Sequence, residues 1–340
     1  MKNQAAILFP SEKDRLLFIR FSSLGDVLLA LRKANALKKR FPGLHLTWLS
    51  QVEYEGILRM QPYVDDVLPW DIGRGRLTIF RLIGRIRRGN FRFLYSVHAN
   101  DRSALISAFC GIPTRVGTHK NLPFAYDYPP FVADRAWRLQ EADEEEAVLH
   151  ISLEQREKIR QKVSGRTDRL LFCAIGASKA FKRWPSKSWI PFLEEAGRAG
   201  LVPVLVGSGS EEKRMAEEIL SCCSAGVINL IGKLSLEEVC ALAASSELAV
   251  GGDTGPIHLA RMTGIPCIGL FAVRDPARYG HKGKNLFPMV SETPYEVYPE
   301  KVPKTCPLAS IPPEEVVRRM LNIASPRLGG AGEENGPTAG

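Results

Sequence analysis

Four short stretches of this chain gather residue types that bind phosphate and sugar or move protons. One is Gly251-Gly252-Asp253-Thr254-Gly255-Pro256-Ile257-His258: glycines, an acid and a hydroxyl, then a proline suited to a first helical turn. A helix opening there presents unpaired backbone N–H groups to phosphate oxygens. Asp253 can accept hydrogen bonds from sugar hydroxyls. His258 alone reads as a core histidine, whereas beside Asp253 and Thr254 it reads as part of a site. The next, Ser178-Lys179-Ala180-Phe181-Lys182-Arg183-Trp184-Pro185, puts a hydroxyl and cations at a helix start, braced by tryptophan, an arrangement that can clamp a diphosphate. A solvated basic loop with a packing Trp has the same composition. Near the N-terminus, Ser22-Ser23-Leu24-Gly25-Asp26 offers amides to an anion. Asp26 either projects into a cleft as a carboxylate or complements the positive end of a helix. Weakest is Gly207-Ser208-Gly209-Ser210-Glu211-Glu212, where Glu211 can bind ribose hydroxyls, although acids are common in any first helical turn. The Ser22–Asp26 turn contains neither G-x-G-x-x-G nor a phosphate-loop Lys-Ser/Thr pair, so dehydrogenase and phosphate-loop nucleotidase readings lose their usual support.

The elements that must position these residues alternate between buried-strand runs and helical spacing. Leu16 to Phe21 reads as a strand, Val27 to Arg40 as a helix stopped by Pro42 and Gly43, and Leu44 to Ser50 as a strand. The alternation continues with a helix at Glu53 to Met60, a strand at Val64 to Trp70, a helix at Leu77 to Arg88, a strand at Phe91 to His98 and a helix at Asp101 to Cys110. After the charged run Glu141 to Glu146 and the polar segment Gln155 to Arg169 it starts again. Leu170 to Ile175, Leu201 to Val206, Val227 to Leu230, Leu248 to Gly251 and Pro266 to Phe271 read as strands separated by helices. Ser235 with Glu238 forms a capping box, and Gly264 suits a helix stop. Strands separated by helices of this length imply parallel sheets covered on both faces. Two successive doubly wound α/β halves follow, with a ligand cleft between them at the carboxyl ends of the strands. A late helix spans Glu314 to Ala324, and the Gly-rich residues 326–340 read as a disordered tail.

Bulk properties narrow the class. With 340 residues, 45% hydrophobic and 24% charged, the chain can bury two cores without disulfides. Its seven cysteines are odd in number, scattered and free of C-x-x-C, which favours reduced thiols in a cytoplasmic protein. The short apolar run Ala5 to Phe9 lacks a cleavage pattern, and no stretch reaches the ~18–20 residues needed to span a bilayer. A net charge of +9 points to anionic partners: nucleic acid, acidic lipid or phosphorylated sugar. No nucleic-acid-binding module is recognisable, which argues against nucleic acid. Between Arg74 and Phe93, seven arginines (74, 76, 81, 85, 87, 88 and 92) interleave with Phe80, Phe91 and Phe93. That composition fits a helix resting on anionic lipid or receiving a phosphorylated acceptor, and equally an ordinary surface helix.

Taken in order, these segments resemble the ADP-heptose:lipopolysaccharide heptosyltransferase family, which has a glycosyltransferase-B fold. The resemblance rests on Ser22 to Asp26, on Lys182-Arg183-Trp184-Pro185 with Trp189, on Gly232-Lys233-Leu234, and on Asp253 through Ala260, with Cys306-Pro307 beyond. It implies two Rossmann-like domains facing a cleft, with acceptor binding in residues 1–165 and donor binding in 166–325. It further implies that Asp26 is the general base of an inverting displacement, with Ser22, Ser23 and Gly25 on the acceptor side. Ser178 and Lys182 would hold the donor diphosphate, Glu211 the ribose, Thr254 and Gly255 the phosphate, and Asp253 the donor sugar, with His258 close by. The donor would be ADP-heptose and the acceptor a lipopolysaccharide precursor, met at the inner face of the cytoplasmic membrane by peripheral contact. No cofactor or metal is implied, since Lys182 and a helix N-terminus can neutralise the leaving diphosphate. Where the family has Gly-Pro-Thr-x-Pro, this chain has Ala272-Val273-Arg274-Asp275-Pro276, a change expected near the donor. A same-fold transferase or epimerase for another nucleotide sugar, and a binding protein without turnover, are the competing readings.

Overall fold

A computed structural model describes residues 7–75, 78–139, 149–163, 169–177, 179–279, 283–297, 299 and 306–324. The tail expected at 326–340, and Ser178, lie outside the described residues.

The first lobe runs β1 (Arg15–Ile19), α1 (Leu24–Arg40), β2 (His45–Gln51), α2 (Glu55–Arg59), β3 (Asp66–Trp70), α3 (Thr78–Arg88), β4 (Phe93–Ser96), α4 (Asp101–Phe109), β5 (Thr114–Val116) and α5 (Pro130–Ala136). Its strands form one parallel sheet in the order β3-β2-β1-β4-β5. Both faces of β1 are apolar because both are covered. Leu16 and Phe18 join Trp48 and the α1 residues Val27, Leu28 and Leu31 in one core. Leu17 and Ile19 point the other way, into a second core with Leu82 and Ile86 of α3 and Ile106 of α4.

The second lobe contains α6 (Leu153–Lys162), β6 (Leu170–Ala174), α7 (Ser186–Arg198), β7 (Val202–Val206), α8 (Ser210–Cys222), β8 (Ile228–Asn229), α9 (Leu236–Ala244), β9 (Leu248–Gly252), α10 (Gly255–Met262), β10 (Cys267–Val273), β11 (Leu286–Tyr295) and α11 (Pro313–Ala324). Its sheet is also parallel, in the order β11-β10-β9-β6-β7-β8. These are the two Rossmann-like lobes the sequence implies.

In each sheet the strand order reverses direction beside the lobe's first strand: between β1 and β4, and between β6 and β9. Such switch points leave a crevice outside the carboxyl ends of the strands. The turn holding Asp26 follows β1, and the loops holding Lys182 and Asp253 follow β6 and β9.

Several elements differ from expectation. β5 has only three residues and α5 begins at Pro130, so neither carries a periodic signal. β11 is an edge strand interrupted by Pro288 and Pro294, tolerated because it pairs on one side only. α6 forms within the polar segment; Ile159 is its one buried residue, so it shows no apolar stripe. It packs on α9, with Lys162 Nζ 2.6 Å from Glu238 and Arg156 donating to the Ala244 carbonyl at 3.2 Å. Leu149 N–H already bonds the Met262 carbonyl. Residues 149–162 thus contact the second lobe through α9 and α10.

Candidate functional site

A cleft of about 460 Å³ lies between the lobes. The first lobe lines it with Ser23, Leu24, Gly25, Asp26 and Leu29; the second with residues from the ends of β6, β7 and β9 and the start of α10. The N-termini of α1 and α10 meet here. A Cβ built on Gly255 would stand 2.7 Å from Leu24 Cδ2, and one on Gly25 would stand 3.6 Å from the His258 ring.

On the first-lobe wall, Asp26 sits in the first turn of α1, where the helix end favours an anion. Its Oδ2 is held by Arg20 Nη2 at 2.6 Å, the Ser23 hydroxyl at 2.9 Å and the Ser23 N–H at 3.2 Å. Oδ1 carries no hydrogen bond among the described residues. Burial alone would raise the carboxyl's pKa; the Arg20 charge and the Ser23 hydrogen bonds outweigh it and hold the group below the usual carboxylate range. Asp26 is therefore ionised, anchored through one oxygen and half-exposed to the cleft. Ser22 is half-buried in the same turn but does not line the cleft.

Several neighbours of Asp26 were not singled out in the sequence. Arg20 also donates to the Val97 carbonyl at 2.9 Å, tying the end of β1 to the end of β4. His98 accepts from the Phe21 N–H at 3.4 Å, and its Nε2 lies 2.6 Å from Asn100 Nδ2. Burial and the Arg20 charge, against the pull of Asp26, push this imidazole down to about 4, so it is neutral at physiological pH. Tyr54 is pushed up to about 12 by burial and by the charges of Glu53 and Asp26. The signal that could have found Arg20 and His98 is positional: both leave adjacent strands at the switch point.

On the second-lobe wall, Lys182 Nζ lies 2.5 Å from Asp253 Oδ2, with His258 Nε2 3.5 Å from the other oxygen. All three line the cleft. Glycines make this approach feasible: a Cβ on Gly252 would fall 2.2 Å from the Lys182 carbonyl oxygen, and one on Gly251 would fall 2.8 Å from that of Ala174. Thr254 caps α10 in extended conformation, and Pro256 follows in the first turn. The hydroxyl Oγ1 of Thr254 is buried with no hydrogen-bond partner among the described residues. With the first amides of α10 beside it, this corner is suited to an anion.

The other residues of the Lys179–Pro185 loop brace it. Arg183 donates to the Ala177 carbonyl at 2.8 Å, and Trp184 donates to the Ile311 carbonyl and packs edge-on against Trp189. Lys179 is exposed, its ammonium over Phe181. Lys182 is the cation of this loop that lines the cleft.

At the end of β7 the geometry picks out Glu212, one residue beyond Glu211. Glu211 is half-exposed, 3.2 Å from Arg214 and 3.5 Å from Arg183, and does not line the cleft. Glu212 does. A Cβ on Gly176, Gly207 or Gly209 would come within 2.4, 2.9 or 2.1 Å of its side chain, so three glycines form the seat of this carboxylate. The altered segment Ala272 to Pro276 does not line the cleft. Arg274 at the end of β10 is tied instead to β11 and the residue after it, through the Tyr295 carbonyl at 2.9 Å and Glu296 at 2.5 Å.

The family model for glycosyltransferase family 9 (heptosyltransferase) matches residues 79–307. The lipopolysaccharide core heptosyltransferase OpsX of Haemophilus influenzae is 23% identical over 287 residues, covering 80% of this chain and 82% of that protein. Among solved structures, a family 9 glycosyl transferase from Veillonella parvula superposes with a TM-score of 0.80 at 20% identity, covering 93% of this chain and 98% of that one. An E. coli heptosyltransferase solved with ADP-2-deoxy-2-fluoro heptose superposes with a TM-score of 0.69 at 18% identity, covering 91% and 100%. The two-lobed architecture is thus that of the glycosyltransferase-B type heptosyltransferases.

Proposed function

Because the chain belongs to glycosyltransferase family 9, the heptosyltransferase family, we propose that it transfers heptose from ADP-L-glycero-D-manno-heptose to the inner core of a lipopolysaccharide precursor, Kdo-lipid A or heptosyl-Kdo-lipid A. The first lobe binds the acceptor and the second binds the donor. The observation that carries this reading is the cleft itself, which sets an ionised, anchored Asp26 opposite Lys182, Glu212 and the N-terminus of α10.

Asp26 acts as general base. The acceptor hydroxyl oxygen attacks the anomeric carbon from the face opposite the diphosphate. As that bond forms, the bond from the anomeric carbon to the β-phosphate oxygen breaks and the hydroxyl proton passes to Asp26 Oδ1, so configuration inverts. A carboxylate is basic enough because the hydroxyl becomes strongly acidic only as the new bond forms. Lys182, the amides of Thr254 and Gly255, and Ser178 hold the diphosphate and neutralise the charge developing on ADP, which makes a metal unnecessary. Glu212, in the seat anticipated for Glu211, accepts hydrogen bonds from the ribose hydroxyls. Asp253 does the same for heptose hydroxyls, with His258 beside it.

No helix among the described residues is long and apolar enough to cross a membrane. Contact with the lipid-borne acceptor is peripheral in this reading, at the inner face of the cytoplasmic membrane. ADP release from the purified chain tests the assignment, using ADP-heptose or UDP-glucose with Kdo-lipid A, heptosyl-Kdo-lipid A or no acceptor. Acceptor-dependent release from ADP-heptose is expected. Release without acceptor, or none with either acceptor, would overturn it.

A further inference from the structure

We propose that the outer face of α3, α4 and the Pro123–Ala125 turn docks on an anionic phospholipid bilayer. The proposal rests on the lipid-borne acceptor just described, and it names the surface that brings this acceptor to the cleft.

Charge is the first argument. Residues 78–125 contain eight Lys and Arg but a single acid, Asp101, against 46 and 37 in the whole chain. That acid lies 3.1 Å from His119. Arg81, Arg85 and Arg102 are exposed and form no side-chain hydrogen bond or ion pair among the described residues. Two of the eight cations pair with acids from outside that stretch, Arg92 with Asp14 and Arg115 with Asp127; Arg81, Arg85 and Arg102 are left to attract an anionic surface, each adding to the attraction within a Debye length.

Apolar exposure on the same layer is the second. Phe80 on α3 is 69% exposed, Phe124 64%, and Phe109 and Leu105 on α4 55% and 40%. Leu105 and Phe109 are four residues apart and share one helix flank. Arg87 of α3 donates to the Phe109 carbonyl at 3.0 Å, and the Pro123–Ala125 turn packs on α4, so these side chains belong to one continuous layer. The arrangement differs from a lone amphipathic helix lying on lipid. The apolar stripe of α3, Leu82, Ile83 and Ile86, is spent on the core beneath, which leaves its arginines and Phe80 outside. Isolated apolar side chains on a surface are ordinary. Four on one layer, among cations, match the aromatic and basic composition of interfacial anchors.

Position is the third. The α4 N-cap Asn100 reaches His98, whose ring packs 5.0 Å from Phe21, next to Arg20 and the Asp26 turn. The layer thus abuts the acceptor wall, so a lipid seated on it can extend its sugars toward Asp26 while its acyl chains stay in the bilayer. A second copy of this chain would set like charge against like charge here, which disfavours self-association as the use of the face.

The test is co-sedimentation of the full chain, without donor, with vesicles of phosphatidylglycerol and phosphatidylethanolamine or of phosphatidylcholine alone. Binding to the anionic vesicles only, weakened by salt, is expected. The pairs Arg81→Glu with Arg85→Glu and Phe80→Ser with Phe124→Ser should each weaken it roughly tenfold or more. Lys158→Glu with Arg160→Glu, on α6, should leave it unchanged. ADP release with a deacylated, soluble acceptor should stay at the wild-type level in all variants, which separates this proposal from the transfer reaction. Equal binding to both vesicle types, wild-type binding by both face variants, or light scattering showing a dimer that the face variants dissociate would overturn it.

Discussion

Lys182 and Asp253 invite a charge-by-charge dissection. Their atoms lie 2.5 Å apart, and the side chains are 19% and 8% exposed. Removing one member of a buried pair typically costs about 3–5 kcal/mol, because the other charge stays buried without its partner. Residual exposure of Lys182 and the proximity of His258 to Asp253 put this pair at or below the bottom of that range, about 2–3 kcal/mol for Lys182→Met or Asp253→Asn alone. The double variant buries no orphan charge and should cost less than the sum of the singles, giving a coupling of at least about 1.5 kcal/mol. Urea unfolding of the four proteins near pH 7.5, without donor, measures it. Additivity within about 0.5 kcal/mol would mean that the lysine is not seated on this carboxylate. The same Lys182→Met protein should bind ADP about 10- to 150-fold more weakly, the worth of one charge-assisted hydrogen bond of about 1.5–3 kcal/mol.

Other outcomes follow from the site. Glu212→Gln should raise the donor KM about tenfold through a weakened ribose contact, while Glu211→Gln changes it less than about twofold; the reverse order in steady-state kinetics would return the role to Glu211. Arg20→Met removes the charge that does most to hold the Asp26 pKa down and leaves burial, which raises it, opposed only by the Ser23 hydrogen bonds, so the acid limb of kcat/KM should move to higher pH. By linkage, the stability Asp26 contributes is present above the unfolded carboxylate pKa and lost as pH falls through the lower folded value, a loss the variant should show to a smaller extent. Gly252→Ala places a methyl 2.2 Å from the Lys182 carbonyl; with backbone as the obstacle, a stability loss of about 1–3 kcal/mol by thermal or urea melts and weaker ADP binding are expected.

Sequence periodicity revealed those parts of the fold in which burial leaves a repeating mark. The strands beginning at Leu16, Leu170 and Leu248 and the helix ending at Arg40 are legible because covered parallel strands are continuously apolar and α1 has one buried stripe. α6 and β11 were not, since α6 buries little beyond Ile159 and β11 alternates irregularly at an edge. In the site, Asp26, Lys182 and Asp253 stood out because each follows an apolar run and neighbours glycine, hydroxyl or proline residues. Glu211 and Glu212 are adjacent acids in one helical turn, and only the three-dimensional seat formed by Gly176, Gly207 and Gly209 distinguishes them. Arg20 and His98 lie 78 positions apart and meet through strand order, which no local pattern encodes.

The most direct test of the account is a single-turnover experiment with ADP-heptose and a Kdo-lipid A or heptosyl-Kdo-lipid A acceptor, comparing the wild type with Asp26→Asn. The substitution keeps the shape of the side chain and removes its capacity to take a proton. Heptose transfer should slow by about 10²- to 10⁴-fold while ADP-heptose affinity stays within about twofold. Transfer at the wild-type rate by Asp26→Asn would contradict the assignment of Asp26 as the base.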